Sequence, residues 1–349
     1  MIKLQSLKCL HSLSQESECN RCEIICPTDA ITIGSNPLPS IDISLCVACG
    51  ACNAVCPNEA FYLDSFVVED FFYKFIDEQN AGFVSCRKNV PCIAALSVDH
   101  LVSMAILKGR IILDTGHCNS CEIAHKCYKE IVKNYEESTY ILEAMLSDAE
   151  IKLKNVAYEQ VEDVHKQKRE LLSALKPLKN KTPFENDVER LCDELFSLSS
   201  KSEDISLLKQ KLLPKKRQIL FGALKKLKRP SVYHVIDAQE ITLTTQKYID
   251  KNICNACKKC YQLCPCGALS SDILNSKIDF NPFLCINCDL CENVCESDCI
   301  DSLPSYSLAS FFEPTLQNLI TFNLFECEKC GMKFATNSQE RVCSRCSGV

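Results

Sequence analysis

Cys254, Cys257, Cys260 and Cys264, with Pro265 next, form one run of evenly spaced thiols, and Cys285, Cys288, Cys291 and Cys295 repeat its offsets. In the C-x2-C-x2-C-x3-C-P arrangement, three thiolates converge on one iron–sulfur cubane and the fourth cysteine crosses to a second. Two such runs 20 residues apart therefore predict two [4Fe–4S] clusters in one compact, pseudo-twofold unit. A disulfide framework is the competing use of 28 cysteines in 349 residues. Such frameworks belong to small secreted chains. This sequence opens Met-Ile-Lys-Leu-Gln-Ser-Leu-Lys with no apolar signal core. Thiols separated by two residues also suit one metal centre better than separate bridges.

A second pair of runs occupies the first 65 residues. Cys46, Cys49, Cys52 and Cys56-Pro57 are complete, whereas Cys19, Cys22 and Cys26-Pro27 have Glu16 where a first cysteine belongs. Cys9 is the natural replacement, reached through a longer loop; an oxygen ligand from Glu16 or a three-iron cluster is the alternative. The crossed pattern assigns Cys9, Cys19, Cys22 and Cys56 to one cubane, and Cys46, Cys49, Cys52 and Cys26 to the other. Three runs end C-P-T-D-A-I, C-P-N-E-A-F and C-P-C-G-A-L; the fourth ends C-E-S-D-C-I, with Glu296 for proline and Cys299 for alanine. Cys266 and Cys299 exceed the ligand count and read as small buried hydrophobes beside the clusters.

Two further groups of cysteines fall outside these runs. Gly82 to Cys86 reads as a strand ending in a thiol, Cys92 follows, and Leu96 to Leu107 has helical periodicity. Arg110 to Asp114 is a second strand, followed by Cys118, Cys121 and Cys127. A strand–helix–strand unit would gather Cys86, Cys92, Cys118 and Cys121 at the carboxyl edge of a parallel sheet, where open α/β sheets place their sites. That makes them candidates for a fifth iron–sulfur or zinc site, against the bland alternative of reduced thiols in a degenerate domain. His117 and His125 read as polar surface. At the far end, Cys327-x2-Cys330 and Cys343-x2-Cys346 form two knuckles separated by 12 residues. Four thiolates on paired knuckles suit a tetrahedral structural zinc. A rubredoxin-like iron is the other occupant, but Ser344 and Ser347 stand where its usual proline and glycine would be.

The elements that must position these groups give an α+β architecture. It comprises a dicluster module (residues 1–65), a small α/β unit (66–127), a charged, mainly helical region (128–244), a second dicluster module (245–305), and a helix with the zinc ribbon (306–349). Tyr135 to Leu178 carries Leu142, Met145, Leu146, Val156, Val161 and Val164 at helical intervals. Pro177, Pro183 and Ser197–Ser202 read as breaks, and Cys192 as core. Lys209 to Arg229 is basic without an acid and interleaved with Ile219, Leu220, Phe221, Leu224 and Leu227. It reads as a solvated helix face, or as a site for an acidic partner or an anionic membrane surface.

Composition sets negative bounds. With nine glycines and no G-x-G, neither a Rossmann fingerprint nor a P-loop is present, so no NAD, FAD or ATP is expected through those motifs. The net charge of −6 would fall to roughly −16 with four cubanes and one zinc bound. Absence of a long apolar stretch or targeting segment makes the cytoplasm the expected location.

The runs at Cys19–Cys56 and Cys254–Cys295 resemble bacterial-type dicluster ferredoxin domains. The whole arrangement is similar to larger ferredoxin-like proteins of formate dehydrogenase and hydrogenase systems, and the Cys86–Cys121 unit resembles the small iron–sulfur subunit of methyl-viologen-reducing hydrogenases. That resemblance implies a non-catalytic subunit relaying electrons between a dehydrogenase and an acceptor. The alternatives are an accessory or assembly factor holding a client oxidoreductase, and a redox-sensing nucleic-acid binder. Overall acidity and the absence of a basic patch interleaved with aromatics count against the last.

Overall fold

A computed structural model describes residues 1–36, 38–79, 81–154, 184–188, 190, 211 and 213–347. The chain divides into two compact units, which interleave in sequence. The first comprises Met1–Ser12, Asn20–Asp193 and Pro214–His234; the second comprises Leu13–Cys19, Glu194–Leu213 and Val235–Val349. Among the described residues no helix is long and apolar enough to cross a membrane.

The first unit opens with β1 (Ile2–Leu4), and the short turn α1 (Leu10–Leu13) begins just after Cys9. One-turn helices α2 (Arg21–Ile25) and α3 (Ala51–Val55) carry Cys22 and Cys52. Strands β2 (Ile31–Thr32) and β3 (Ser40–Ile41) pair antiparallel, and β1 pairs with β4 (Phe61–Leu63), Ile2 opposite Leu63. Beyond them, α4 (Val68–Asp77) leads into a parallel sheet of β5 (Phe83–Ser85), β6 (Arg110–Asp114) and β7 (Glu150–Lys154). Parallel neighbours need a crossover. α5 (Val98–Lys108) supplies the one between β5 and β6, and α6 (Ala124–Ala144) the one before β7. α5 is buried through most of its length, the polar Asp99, His100 and Ser103 included.

Two expectations change here. The helical reading of Tyr135 to Leu178 stops at Ala144: Leu146 adopts a left-handed conformation (φ 54°), and Glu150-Ile-Lys-Leu-Lys then alternates in the period of a strand. Ile151 pairs opposite Ile111, so a sheet edge captures a segment whose charges suggested helix. The basic stretch forms α7 (Lys215–Leu224), but it is not a solvated face, because Lys216 and Arg217 are buried along with Ile219, Leu220 and Phe221. Its amino end is held by Glu59, whose carboxylate accepts the amides of Lys215 (2.7 Å) and Lys216 (2.9 Å). Arg217 Nε donates to Asp99 Oδ1 at 2.7 Å, with both side chains nearly inaccessible (3% and 6%). Val156, Val161, Val164, Pro177, Pro183, Cys192, Ser197–Ser202 and Lys209 lie outside the described residues.

The second unit repeats the ferredoxin plan. β9 (Lys247–Ile249) pairs with β12 (Ile300–Ser302) as β1 does with β4. β10 (Leu269–Ser270) pairs with β11 (Lys277–Phe280) as β2 does with β3, and β14 (Gln317–Thr321) extends that pair. Helices α8 (Lys259–Gln262) and α9 (Leu290–Asn293) carry Cys260 and Cys291. β8 (Val235–Asp237) pairs with β13 (Ser305–Ser307), and β15 (Asn323–Glu326) with β16 (Lys333–Thr336) makes the hairpin of the terminal knuckles.

Candidate iron–sulfur and metal centres

Most of the left-handed backbone in the described chain lies within the cysteine runs or just after them. Ala48, Ala256 and Asn287 occupy the position before the second cysteine of their runs, with φ of 53°, 58° and 47°. Gly50, Lys258 and Asp289 follow that cysteine at 84°, 76° and 61°. Asp29, Glu59, Gly267 and Asp298 stand third after the fourth cysteine, again at positive φ. Such turns aim successive amides at one point, which makes a nest for an anion. The amides of Ala30, Ala60 and Cys299 donate to the sulfurs of Cys26, Cys56 and Cys295 at 3.2, 3.2 and 3.3 Å. In the third run Leu269, one residue later, serves Cys264 at 3.5 Å. The Cys19 run lacks the first two turns, and Asn20 has φ of −126°. Gly50 is required twice over: besides its φ, a Cβ there would lie 2.8 Å from Cβ of Ala95.

In the first unit Cys22, Cys26, Cys46 and Cys49 gather around Cys52. Burial, then repulsion from Cys49, Cys22, Cys46 and Cys26, raises the Cys52 thiol well above its ordinary range, and burial leads in raising that of Cys46. Crowded thiols held neutral in this way become thiolates when metal ions take the place of their protons, so the donor set fits a cluster. Cys9 is buried, and Asn58 Nδ2 donates to the carbonyl of Lys8 at 2.8 Å, which lays the Cys9 segment beside the Cys56-Pro57-Asn58 turn. Glu16 is engaged elsewhere: its carboxylate pairs with Lys259 at 3.2 Å. Cys19 is half-buried. No disulfide joins any described cysteine.

In the second unit the thiols line two cavities in the crossed pattern. One is lined by Cys254, Cys257, Cys260, Cys295 and Cys299; the other by Cys264, Cys266, Cys285, Cys288 and Cys291. Each thus holds three cysteines of one run, the fourth of the other, and a surplus thiol. Cys266 and Cys299 are buried, but they are more than packing: their sulfurs lie 3.8 Å from Cys264 and 3.4 Å from Cys295. The hydrogen bond from Cys266 draws Cys264 down to about 6, and burial leads in pushing Cys299 up to about 12. Lys247 also lines the second cavity, with its ammonium 2.5 Å from Glu292 and only 1% of its side chain exposed. Burial opposes its charge, but Cys291, Cys285 and Glu292 outweigh that and raise the lysine above its ordinary value.

The α/β unit brings Cys86, Cys92, Cys118 and Cys121 to one edge. Burial first, then Cys92, Cys86 and Cys121 with Asp114, pushes the Cys118 thiol up to about 12. Sequence reasoning left Cys127 out of this group, yet its buried thiol hydrogen-bonds both Cys49 and Cys92. His117 Nδ1 sits 3.1 Å from Arg87, and His125 Nδ1 is 3.2 Å from the carbonyl of Glu122.

The terminal knuckles are tighter. The sulfurs of Cys327, Cys330, Cys343 and Cys346 all lie within 4.8 Å of one another, with Cys330 and Cys343 3.8 Å apart. A tetrahedron with metal–sulfur bonds of about 2.3 Å has edges of about 3.8 Å, so these four fit a single ion. Amide donation from Cys343, at 3.3 Å, leads in drawing Cys327 down to about 6.

Two family models, each described as a 4Fe-4S dicluster domain, match residues 17–60 and 246–296. The chain therefore carries two dicluster domains, which imply four [4Fe–4S] clusters, and it is an iron–sulfur electron-transfer protein of ferredoxin type. The first match begins beyond Cys9. No curated protein and no solved structure matches the chain.

Proposed function

We propose that the protein is a non-catalytic subunit relaying single electrons between a dehydrogenase of formate dehydrogenase or hydrogenase type and an acceptor protein. The observation that carries this reading is the crossed grouping of thiols in the two cavities of the second unit, repeated in outline in the first. The ligands are Cys254, Cys257, Cys260 with Cys295; Cys285, Cys288, Cys291 with Cys264; Cys46, Cys49, Cys52 with Cys26; and Cys19, Cys22, Cys56 with Cys9. When bound, the clusters supply one-electron chemistry. This chain's side chains ligate them, turn amides toward their sulfurs and exclude water. Cys327, Cys330, Cys343 and Cys346 hold a structural zinc. Docking of an acidic partner or an anionic membrane surface at the basic stretch would fall to the exposed residues just past the helix, Lys225, Lys228 and Arg229.

The test is metal content and redox titration of the anaerobically purified full chain. At least about sixteen iron with matching sulfide, one zinc, reversible reduction at low potential and rapid exchange with such a dehydrogenase are expected. Redox-inert clusters, combined with tight binding to an apo-oxidoreductase, would replace the relay with the accessory role.

A further inference from the structure

The approach to the first cysteine is built the same way in the Cys46 and Cys285 runs. The amide of Asp42 donates to the carbonyl of Ala30, and that of Asn281 to the carbonyl of Ala268, each at 2.8 Å. Asp42 Oδ1 accepts the Ser44 amide at 2.9 Å, and Asn281 Oδ1 accepts that of Phe283 at 3.1 Å. The carbonyls of Ile43 and Pro282 then accept the amides of Cys46 and Cys285, both at 3.3 Å. Leu45 and Val47 flank Cys46 as Leu284 and Ile286 flank Cys285. With the local backbone matched, exposure should match too, and it does not. Leu284 and Ile286 are 6% and 4% exposed, whereas Leu45 and Val47 are 48% and 47% exposed, and Ile43 is 51% exposed.

The second unit shows what makes the difference. Its segment 241–245, which runs into β9, lies against the turn. Thr244 Oγ1 donates to the carbonyl of Pro282 at 2.9 Å, and Asn287 Nδ2 donates to that of Thr242 at 3.4 Å. Ile241, Leu243, Thr244 and Thr245 are buried there. In the first unit Met1 takes the place of Gln246: its carbonyl accepts the Asp64 amide at 3.0 Å, as that of Gln246 accepts the Leu303 amide at 2.7 Å. Residues 1–65 therefore hold no counterpart of 241–245. Apolar side chains grouped on a surface mark an interaction site. The second unit displays the occupant that fits, a short non-helical segment with aliphatic side chains and a hydroxyl donor.

We propose that Ile43, Leu45 and Val47 form the docking surface for a redox partner protein, which lays a short segment of this chemistry over the turn as 241–245 is laid over its counterpart. The partner's redox identity rests on the relay reading; the surface itself does not. A hydroxyl of the docked segment donates to the carbonyl of Ile43, and its aliphatic side chains cover Leu45 and Val47. That seats the partner against Cys46. One electron passes from the reduced partner to the oxidised cluster held by Cys46, Cys49, Cys52 and Cys26, and no bond forms or breaks.

The test uses the full chain with its clusters, purified anaerobically. The probe is the synthetic peptide of residues 240–246, Glu-Ile-Thr-Leu-Thr-Thr-Gln, with a benzophenone on its amino terminus. Photocrosslinks should map to residues 42–48 and not to 281–287, where the place is taken. Leu45→Gln/Val47→Thr should lower their yield at least about tenfold, as expected when two half-exposed aliphatic side chains lose their cover. Unchanged iron, sulfide and midpoint potentials show that the clusters of this surface variant are intact. It should also exchange electrons with a formate dehydrogenase or hydrogenase about tenfold more slowly, while reduction by methyl viologen, which needs no docking, is unchanged. Crosslinks at 281–287 or spread over the chain, a yield that survives the substitutions, or an exchange rate unaffected by them overturns the proposal. Concentration-dependent dimers of the wild type that the variant loses would give the face to a second copy, which also overturns it. Failure of the relay reading looks different: the wild type then exchanges no electrons with either enzyme, while crosslinks at 42–48 still support the surface.

Discussion

The two dicluster domains share a repeat but back their clusters with positive charge in different ways. In the N-terminal domain the cations come from outside the ferredoxin core. Lys126 on α6 donates to the carbonyl of Cys26 at 2.7 Å, and Lys216 on α7 donates to that of Cys56 at 2.6 Å. Each fourth cysteine thus has a lysine behind it, held by a helix that the bare repeat does not contain. The C-terminal domain also has an outside lysine, Lys211, which donates to the carbonyl of Tyr261 at 2.5 Å and, after the Cys266 hydrogen bond, helps draw Cys264 down, but it adds a charge inside: Lys247 lines a cavity itself. Strand pairing sets Lys247 opposite Ser302, the place that Ile2 takes opposite Leu63 in the other domain. The same pseudo-twofold frame therefore accepts an apolar residue or an ammonium beside a cluster, provided a carboxylate such as Glu292 completes the pair. A thiolate-bound oxidised cubane carries about −2, and both solutions offset it at different distances.

The largest expected effect tests whether the N-terminal repeat is complete. Cys9→Ala should strip one cluster or leave a three-iron remnant with its own paramagnetic signal, whereas Glu16→Ala should leave iron content unchanged. The reverse outcome would make Glu16 the ligand and uncouple Cys9 from the Cys56 turn. Next comes the helix that carries Lys216. Arg217→Met strands Asp99 as an unpaired buried carboxylate, which should cost about 3–5 kcal/mol. In a urea titration the N-terminal clusters should then bleach early while the C-terminal pair holds; simultaneous bleaching would mean that α7 is no private support. Acid should separate the domains in the same direction. His100, wholly buried on α5, falls from 6.5 to about 4 because burial disfavours its charged form. Below 6.5 the unfolded chain takes a proton that the folded chain refuses, so stability present above 6.5 drains away as pH falls to about 4. The loss approaches about 3 kcal/mol, and His100→Gln should flatten that slope. A third contrast is redox. Lys247→Met should move only the potential of the cluster at Cys285, Cys288, Cys291 and Cys264, and move it negative. Since Lys247 is raised above 10.5, the difference from wild type should stay constant across neutral pH.

The contrast between the domains follows the limits of what sequence could reveal. The thiol runs and terminal knuckles were legible because ligand spacing is local, and β5, α5 and β6 because each carries its own periodicity. Lys216 and Arg217 were not, because the groups that justify their burial, the Cys56 carbonyl and Asp99, lie more than a hundred residues away. Read along the chain they were simply part of a basic stretch. Lys247, between Gln246 and Tyr248, carries no local sign that it faces a cavity, and Glu59 none that it would cap a helix beginning at Lys215. β7 was hidden because a strand of alternating charge and aliphatic residues resembles a helix until a sheet edge offers it a partner. Cys127 was visible as a cysteine but not as a contact, since its two partners come from separate segments.

The smallest effect concerns the surplus thiols. At the second position after the fourth cysteine the N-terminal runs have Thr28 and Asn58 where the third run has Cys266; at the fourth position Ala30 and Ala60 stand where the last run has Cys299. Thr28 Oγ1 is itself 3.8 Å from Cys26, so a side-chain donor near a ligand sulfur is not peculiar to one domain. What differs is reach. Cys299 hydrogen-bonds Cys254 as well as Cys295, two ligands of one cluster, and accepts from Ser297 at 3.6 Å, which leaves its own proton to the ligand sulfurs. Removing it withdraws polarisation from two sulfurs at once, whereas removing Cys266 withdraws it chiefly from Cys264. Cys299→Ala should therefore move its cluster's potential further negative than Cys266→Ala moves the neighbour's, each with iron retained, and Cys299→Ser should recover most of the shift. Lost iron in either variant would show that the fifth thiol is itself a ligand, and the C-terminal domain would then differ from its partner in coordination and not in tuning.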